Sequence, residues 1–255
     1  MWRLISRFLS TLPMLCAGPA LACDLALALA VDVSGSVDQK EYSIQMQGLA
    51  TALRDPVIAG ALIDAKAQLK LVQWTGSSRQ RTTLPWTGIE SFTDLEGFAD
   101  SVARDARVWR NYSTAVGEAL EFTIQDFDAV DHCARRMIDL SGDGPSNEGV
   151  EPWDIHAALR DKGVVVNAIA IEASEPGLTE YFFENVIVGE GAFVVTAASF
   201  ADYPAQIRKK LLREVTRQTA GMGWHVITPS RGVITSGVEI TVLRQKTTAK
   251  APHDP

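Results

Sequence analysis

The chain has 255 residues, a formal net charge of −7 at pH 7, and 46% hydrophobic against 22% charged residues. These proportions are typical of a soluble globular protein and exclude a wholly disordered one. The acidic balance disfavours nucleic acid as the main partner, because the sequence has no basic stripe to neutralise phosphates. Three cysteines are too few for a disulfide scaffold, and they lack zinc-finger spacing.

Residues 1–22 have the three parts of a secretory signal peptide. Arg3 and Arg7 give a positive start, Phe8–Leu21 is mostly apolar, and Ala20-Leu21-Ala22 is a small-x-small cleavage site. The apolar run is too short to span about 30 Å of hydrocarbon as a retained helix. We therefore expect a periplasmic or secreted protein whose mature form has no transmembrane anchor.

A lipid anchor at Cys23 is the alternative outcome of this signal, because a cysteine follows the cleavage site directly. Bacterial lipoprotein signals usually carry a larger aliphatic residue where Ala20 stands, so simple cleavage is favoured. Removal of residues 1–22 leaves 22 basic and 31 acidic residues, hence a net charge of −9, and two cysteines.

Beyond the signal, short apolar runs alternate with amphipathic stretches at helical spacing. Leu25–Val31 is apolar throughout, as expected of a strand covered on both faces. This alternation predicts an α/β fold with a mainly parallel sheet between helical layers. In chain order the predicted elements are strand Leu25–Val31, helix Gln39–Leu53, strands Leu69–Trp74 and Thr82–Trp86, helices Leu95–Arg107 and Thr114–Val130, strand Arg136–Leu140, helix Pro152–Lys162, strand Val164–Ile171, helix Leu178–Val188, strand Ala192–Thr196 and helix Tyr203–Thr219.

Two details of these elements are also predicted. Asp55-Pro56 should end the first helix, and Lys209, Lys210 and Arg213 should form the solvated face of the last one. From Ala220 the alternation stops, so residues 220–255 are predicted to be a C-terminal extension with a hairpin at 233–243 and a disordered tail.

Carboxylates and hydroxyls follow two of the predicted strands. The first strand runs into Asp32-Val33-Ser34-Gly35-Ser36, and the strand that begins near Arg136 runs into Asp143. Further hydroxyls stand at 111–114, where the long helix begins. Sites in open α/β sheets lie beyond the carboxyl ends of strands, and hard oxygen ligands suit Mg²⁺ or Mn²⁺ better than zinc. The residues themselves predict a metal site formed by Asp32, Ser34, Ser36 and Asp143, with a hydroxyl from 111–114.

A plain turn and helix cap is the alternative for Asp32, Ser34 and Ser36, since Asp and Ser favour both positions. A second aspartate at another strand end favours the metal site. Three further residues are predicted to lie behind the ligands: Ser113, Asp139 and Ser141.

At these residues the sequence resembles the von Willebrand factor A (VWA) domain family. Asp32-x-Ser34-x-Ser36 matches its metal-ion-dependent adhesion site (MIDAS) motif, Thr114-x-x-Gly117 is similar to its threonine loop, and Asp143-Gly144 matches its last aspartate. The resemblance covers Cys23–Thr219. The sequences around the two acidic motifs, residues 29–37 and 138–144, are similar to those of secreted bacterial A-like proteins of unassigned function.

The resemblance implies a Rossmann-like three-layer sandwich with one metal ion at the upper edge of the sheet. It also implies Thr114 as the fifth predicted ligand, beside Asp32, Ser34, Ser36 and Asp143, with Ser113 as the fallback for Thr114. In such domains the protein leaves one coordination position open, and an Asp or Glu carboxylate of a partner protein commonly fills it. The implied activity is metal-dependent protein binding without catalysis.

The two mature cysteines have a predicted pairing. Cys23 lies nine residues before Asp32, and Cys133 lies ten before Asp143. If both aspartates end neighbouring parallel strands, the cysteines lie together at the opposite edge, within disulfide reach. An exported protein meets an oxidising compartment, which favours a Cys23–Cys133 disulfide over two free thiols.

The alternative function is a phosphohydrolase of the haloacid dehalogenase type, which also places an aspartate after its first strand and an acidic motif late in the chain. That chemistry needs a second aspartate two residues after the nucleophile as general acid. Ser34 stands there. A serine hydrolase is disfavoured because neither Ser34 nor Ser36 lies in a Gly-x-Ser-x-Gly elbow.

Overall fold

The computed structural model describes residues 23–216, in which six strands form one sheet. The strands are β1 (Leu25–Asp32), β2 (Gln68–Trp74), β3 (Gln80–Gly88), β4 (Arg135–Gly142), β5 (Val164–Ile171) and β6 (Val194–Ala197). Their order in the sheet is β3-β2-β1-β4-β5-β6, and all neighbouring strands are parallel except β2 and β3, which are antiparallel. The predicted signal peptide and C-terminal extension lie outside the described residues.

Helices cover both faces of the sheet. They are α1 (Gln39–Leu53), α2 (Pro56–Asp64), α3 (Phe92–Arg104), α4 (Val116–Gln125), α5 (His156–Asp161), α6 (Leu178–Asn185) and α7 (Tyr203–Thr216), with 3-10 turns at Asp126–Val130 and Pro152–Ile155. Alternate side chains of β1 enter two different apolar clusters: one includes α1, α2, α3 and α7, and the other includes α4, α5 and α6. This arrangement confirms the predicted Rossmann-like α/β sandwich. Among the described residues, none of the helices has the length and apolar character needed to cross a membrane.

The first helix begins and ends as its sequence predicts. Asp38 and Glu41 form a reciprocal capping box at the start of α1, and the helix ends at Leu53. Pro56, however, begins a further helix, because Asp55 caps its first turn and proline is well tolerated at the first helical position. The sequence prediction missed α2 for this reason.

Two predicted helices have different bounds in the structure. Ser91 caps α3, which therefore starts at Phe92, and the extended backbone of Asp105 ends the helix at Arg104. Arg107 consequently lies outside the helix and is free to turn towards the sheet. The predicted helix at 114–130 divides into α4 and a 3-10 turn.

Lys210 is fully buried, so its predicted place on the solvated face of α7 is wrong. Its ammonium lies 2.6 Å from Asp139 Oδ1 on β4 and 2.7 Å from Glu214 Oε1 one turn further along α7. Asn167 on β5 also donates to Glu214 Oε1, at 2.8 Å. A buried charge persists only when paired and hydrogen-bonded, and these partners meet that need.

One cation serves two carboxylates in this cluster. Burial and the charge of Asp139 raise the pKa of Glu214 to about 7, although Lys210 and Asn167 oppose the shift. In the described part of the chain, Asp139 Oδ2 and Glu214 Oε2 have no hydrogen-bond partner. The neutral form of Glu214 is therefore favoured over a second buried negative charge.

The two cysteines of the described chain form a disulfide, with Cα atoms 4.6 Å apart. Backbone hydrogen bonds continue the β1–β4 ladder to this point, since Ala134 N donates to Cys23 O at 3.1 Å. His132 lies beside the bond, but disulfide sulfurs offer no thiolate, so we do not regard this group as a metal site. The bond fixes the edge of the sheet at which β1 and β4 begin.

Reduction of the disulfide is predicted to lower the free energy of unfolding by about 3–5 kcal/mol, because the bond closes a long loop in the unfolded chain. Cys23→Ser, Cys133→Ser and the double variant should lose similar amounts, since each removes the same bond. Chemical denaturation with and without reductant measures the loss. An unchanged midpoint on reduction would contradict this prediction.

The pKa of Glu214 predicts a pH-dependent stability. The folded value of about 7 lies above the ordinary 4.5, so the folded state holds the proton more tightly. This stabilisation is complete below about pH 4.5 and is lost as the pH rises through 7. Relative to Glu214→Gln, the wild type should lose on the order of 2–3 kcal/mol between pH 5 and pH 8. Urea titrations across this range measure the difference, and Glu184→Gln, at an exposed position, is the control. Parallel curves for wild type and Glu214→Gln would refute the assignment.

Candidate metal centre

Asp32 is the last residue of β1, in a fully buried position. Its Oδ1 accepts a hydrogen bond of 2.7 Å from the backbone N–H of Ser34, which turns the chain sharply after the strand. Residues 25–31 of β1 are all apolar because helices cover both faces of the strand, and Asp32 is the first polar side chain after them. The carboxyl ends of such strands are where binding sites of open α/β sheets lie. The position is the carboxyl end of the central strand pair.

Two serine hydroxyls connect this strand end to the next. Ser34 Oγ lies 3.1 Å from Ser36 Oγ, and Ser36 Oγ donates to Asp143 Oδ1 at 2.6 Å. Asp143 follows β4, the parallel neighbour of β1. Ser34 is fully buried, whereas Ser36 is exposed. The structure therefore brings four of the five predicted ligands into one hydrogen-bonded group with an accessible rim.

Thr114, the fifth predicted ligand, is buried near the same loops. Its Oγ1 is 4.0 Å from the point where a side chain on Gly144 would begin. The amide of Asn147 pairs with its backbone, since Thr114 N donates to Asn147 Oδ1 at 2.9 Å. Ser113, the fallback, is exposed, and its carbonyl accepts from Thr75 Oγ1 at 2.9 Å. Thr114 is thus the buried member of the pair and Ser113 the exposed one.

The two carboxylates disfavour each other's charged forms. Burial and the charge of Asp143 raise the pKa of Asp32 to about 7. Burial also raises the pKa of Asp143, although the hydrogen bond from Ser36 opposes the shift. Two negative charges in one buried site destabilise each other, and a nearby cation would remove the repulsion.

The residues present fit a divalent cation. Among the described residues, Asp32 Oδ2 is buried without a hydrogen-bond partner. An unpartnered carboxylate oxygen is costly in a protein interior, and a bound cation would satisfy it. The donor set consists of carboxylate and hydroxyl oxygens, which suit a hard ion. Asp32, Ser34, Ser36, Thr114 and Asp143 are the residues that would hold it.

The residues predicted behind the ligands have different positions. Ser141 Oγ donates to Gln45 Oε1 at 3.0 Å, and Gln45 Nε2 donates to the carbonyl of Asp32 at 3.1 Å. Ser141 thus supports the end of β1 through α1. Asp139, one pleat earlier on β4, instead pairs with Lys210.

Sequence reasoning missed three residues that shape this edge. Gln45 supports Asp32, Asn147 fixes Thr114, and Arg107 donates to the carbonyls of Val33 and Ser34. Helical spacing could have identified Gln45 as inward-facing, since it lies on the buried face of α1 together with Tyr42 and Leu49. The other two lie in loops, where no periodicity marks a side chain as inward-facing.

Solved structures with a similar fold are VWA domains. Proximal thread matrix protein 1 from the mussel byssus matches with a TM-score of 0.58 and 19% identity, over 76% of this chain and 47% of that one. A second structure of it, with a zinc-occupied MIDAS motif, matches with a TM-score of 0.56 and 18% identity, over 76% and 46%. The von Willebrand factor type A protein from Catenulispora acidiphila gives 0.55 and 17%, over 76% and 43%. This chain thus has a VWA-like fold, and it spans less than half the length of each of these proteins.

The sequence profile described as "Protein of unknown function (DUF1194)" matches residues 22–219. The match covers most of the chain, so the protein belongs to the DUF1194 family. No curated protein matches it.

Proposed function

We propose that this protein binds a partner protein through one Mg²⁺ or Mn²⁺ held by Asp32, Ser34, Ser36, Thr114 and Asp143. The observation that carries the proposal is the hydrogen-bonded group at the ends of β1 and β4, in which Asp32 Oδ2 is buried and has no hydrogen-bond partner among residues 23–216. A metal ion held by few charged ligands remains electrophilic. An Asp or Glu carboxylate of the partner would fill its open position.

The proposal extends to the organisation of the chain. Residues 1–22 act as a cleaved export signal, 23–219 form the VWA-like domain, and 220–255 form a C-terminal extension. The protein belongs with secreted bacterial proteins of this type and acts in the periplasm or outside the cell. The disulfide supports this location, since such bonds persist in oxidising compartments.

We propose that the bound metal acts in recognition and not in catalysis. A phosphohydrolase of the haloacid dehalogenase type needs a general acid two residues after its nucleophile. Ser34 occupies this position, fully buried against Ser36. A hydroxyl of that kind is too weak an acid to protonate a leaving group at neutral pH. Ser34 is better suited to contribute a neutral oxygen ligand.

Mn²⁺ is predicted to bind the wild type with a stoichiometry near one, and Asp32→Ala is predicted to abolish binding. At a hundredfold excess over the dissociation constant, the metal should stabilise the wild type by about 2.7 kcal/mol. Calorimetric titration and thermal unfolding with Mn²⁺ or chelator measure both effects. Asp131→Ala, which removes an exposed aspartate, is the matched control. A wild type that binds neither Mn²⁺ nor Mg²⁺ would refute the proposal.

Partner binding is predicted to require the metal. A protein captured from envelope extract on the immobilised wild type should be released by chelator and should not bind Asp32→Ala. Replacing the contact Asp or Glu of that partner by Asn or Gln should weaken binding at least tenfold, because the amide cannot supply a charged ligand. Retention that chelator leaves unchanged would contradict the metal-bridged mode. Phosphatase turnover lost in Asp32→Asn would contradict the non-catalytic role.

A further inference from the structure

We propose that Arg107 is a positioning residue for residues 32–36, the proposed metal-binding loop. It acts by holding backbone carbonyls and not by its charge. The inference rests on the proposed metal binding. Within residues 23–216, Arg107 makes no hydrogen bond to the side chain of a proposed ligand. Its contacts are with the backbone that carries them.

The first step in the argument is the bridge that Arg107 makes. Its Nη2 donates to Val33 O at 2.9 Å and to Ser34 O at 2.7 Å. These consecutive carbonyls belong to the turn in which the N–H of Ser34 donates to Asp32. One guanidinium nitrogen thus fixes two peptide orientations between Asp32 and Ser36. The directions of the proposed ligands depend on those orientations.

The second step is the support behind Arg107. Gln73, fully buried on β2, donates through Nε2 to Asp105 Oδ2 at 2.8 Å and to Ala106 O at 2.9 Å. Its Oε1 accepts from Val108 N at 2.9 Å. The backbone on both sides of Arg107 is therefore tied to the sheet. A side chain held this way can transmit the position of the sheet to the loop.

A third contact joins the same two segments. Gly35 N donates to Tyr112 O at 2.8 Å. A side chain on Gly35 would begin 3.2 Å from that oxygen and 3.3 Å from the Cα of Asn111, closer than such contacts ordinarily allow. Residues 105–112 thus contact the metal-binding loop at two places, and at one of them a side chain on Gly35 would press against the backbone of residues 111–112.

The fourth step separates position from charge. Arg107 is a cation near Asp32 and Asp143, so its field alone opposes the arrival of a metal ion. If only charge mattered, neutralising Arg107 would tighten metal binding. If the carbonyl bridge matters, the same change weakens binding, because the ligands lose their arrangement. The two roles predict opposite signs for one measurement.

The experiment measures Mn²⁺ affinity by calorimetric titration of the full mature chain. Arg107→Gln is expected to weaken affinity by about 10- to 100-fold, the range found when residues that orient metal ligands are removed. Arg107→Lys keeps the charge but not the planar guanidinium, so it should also weaken binding, by a smaller factor. Arg110→Gln is the charge-matched control, since Arg110 is exposed and contacts Gln39, and it should change affinity less than about twofold.

The folded fraction of each variant, measured by chemical denaturation, distinguishes positioning from simple loss of fold. Irreversibly misfolded protein lowers the number of sites, and a reversible unfolding equilibrium raises the dissociation constant only by the inverse of the folded fraction. Lost positioning instead raises the constant in a variant that is almost fully folded. If Arg107→Gln fails to fold, Gly35→Ala provides an independent test, because it pushes residues 111–112 away without altering any charge. Gly97→Ala, where a new side chain meets nothing within 4 Å, is its control.

Unchanged or tighter Mn²⁺ binding by Arg107→Gln would overturn the positioning role while leaving the proposed function intact. Full affinity in Gly35→Ala would likewise overturn it. A wild type that binds no Mn²⁺ would instead refute the proposed function, and the inference with it. Weaker binding in Arg107→Gln together with near-normal Arg110→Gln would support the inference.

Discussion

β1 and β4 run side by side in the same direction, from Leu25 opposite Arg135 to Val31 opposite Ser141. This parallel register determines what meets at each edge of the sheet. At the carboxyl edge it brings Asp32 level with the residues before Asp143, and at the amino edge it brings the two cysteines within bonding distance. The acidic site and the covalent bond are thus two results of one strand pairing, separated by the length of a strand.

Buried polar side chains connect this sheet to its surroundings. Gln73 ties the segment after α3 to β2, Gln45 joins α1 to both β1 and β4, and Lys210 joins α7 to β4. Apolar packing is non-directional and tolerates small shifts, whereas hydrogen-bonded networks specify distances and angles. The apolar clusters therefore account for the sandwich, and the polar contacts account for the placement of the loops at the proposed metal site.

The predictable part of the structure is the part governed by repeating patterns. The apolar runs predicted the strands, and the spacing of acids and cysteines from strand ends predicted which side chains meet. The missed features depend on single contacts between distant segments. Arg107 reaches the loop after β1 because α3 ends at Arg104, and Lys210 is buried because its ammonium pairs with Asp139 and donates a hydrogen bond to Glu214. No local pattern encodes such a partner, and a lysine pair on a helix ordinarily faces water.

The disulfide has a consequence for the integrity of the chain. It joins the segments that lead into β1 and β4, the two central strands, and the chain between Cys23 and Cys133 includes Asp32 and residues 105–112. A protease that cuts once within that stretch produces two pieces that remain covalently joined under oxidising conditions. The loops that meet at the carboxyl edge of the sheet can therefore be long and exposed without a single nick separating the two halves of the proposed site.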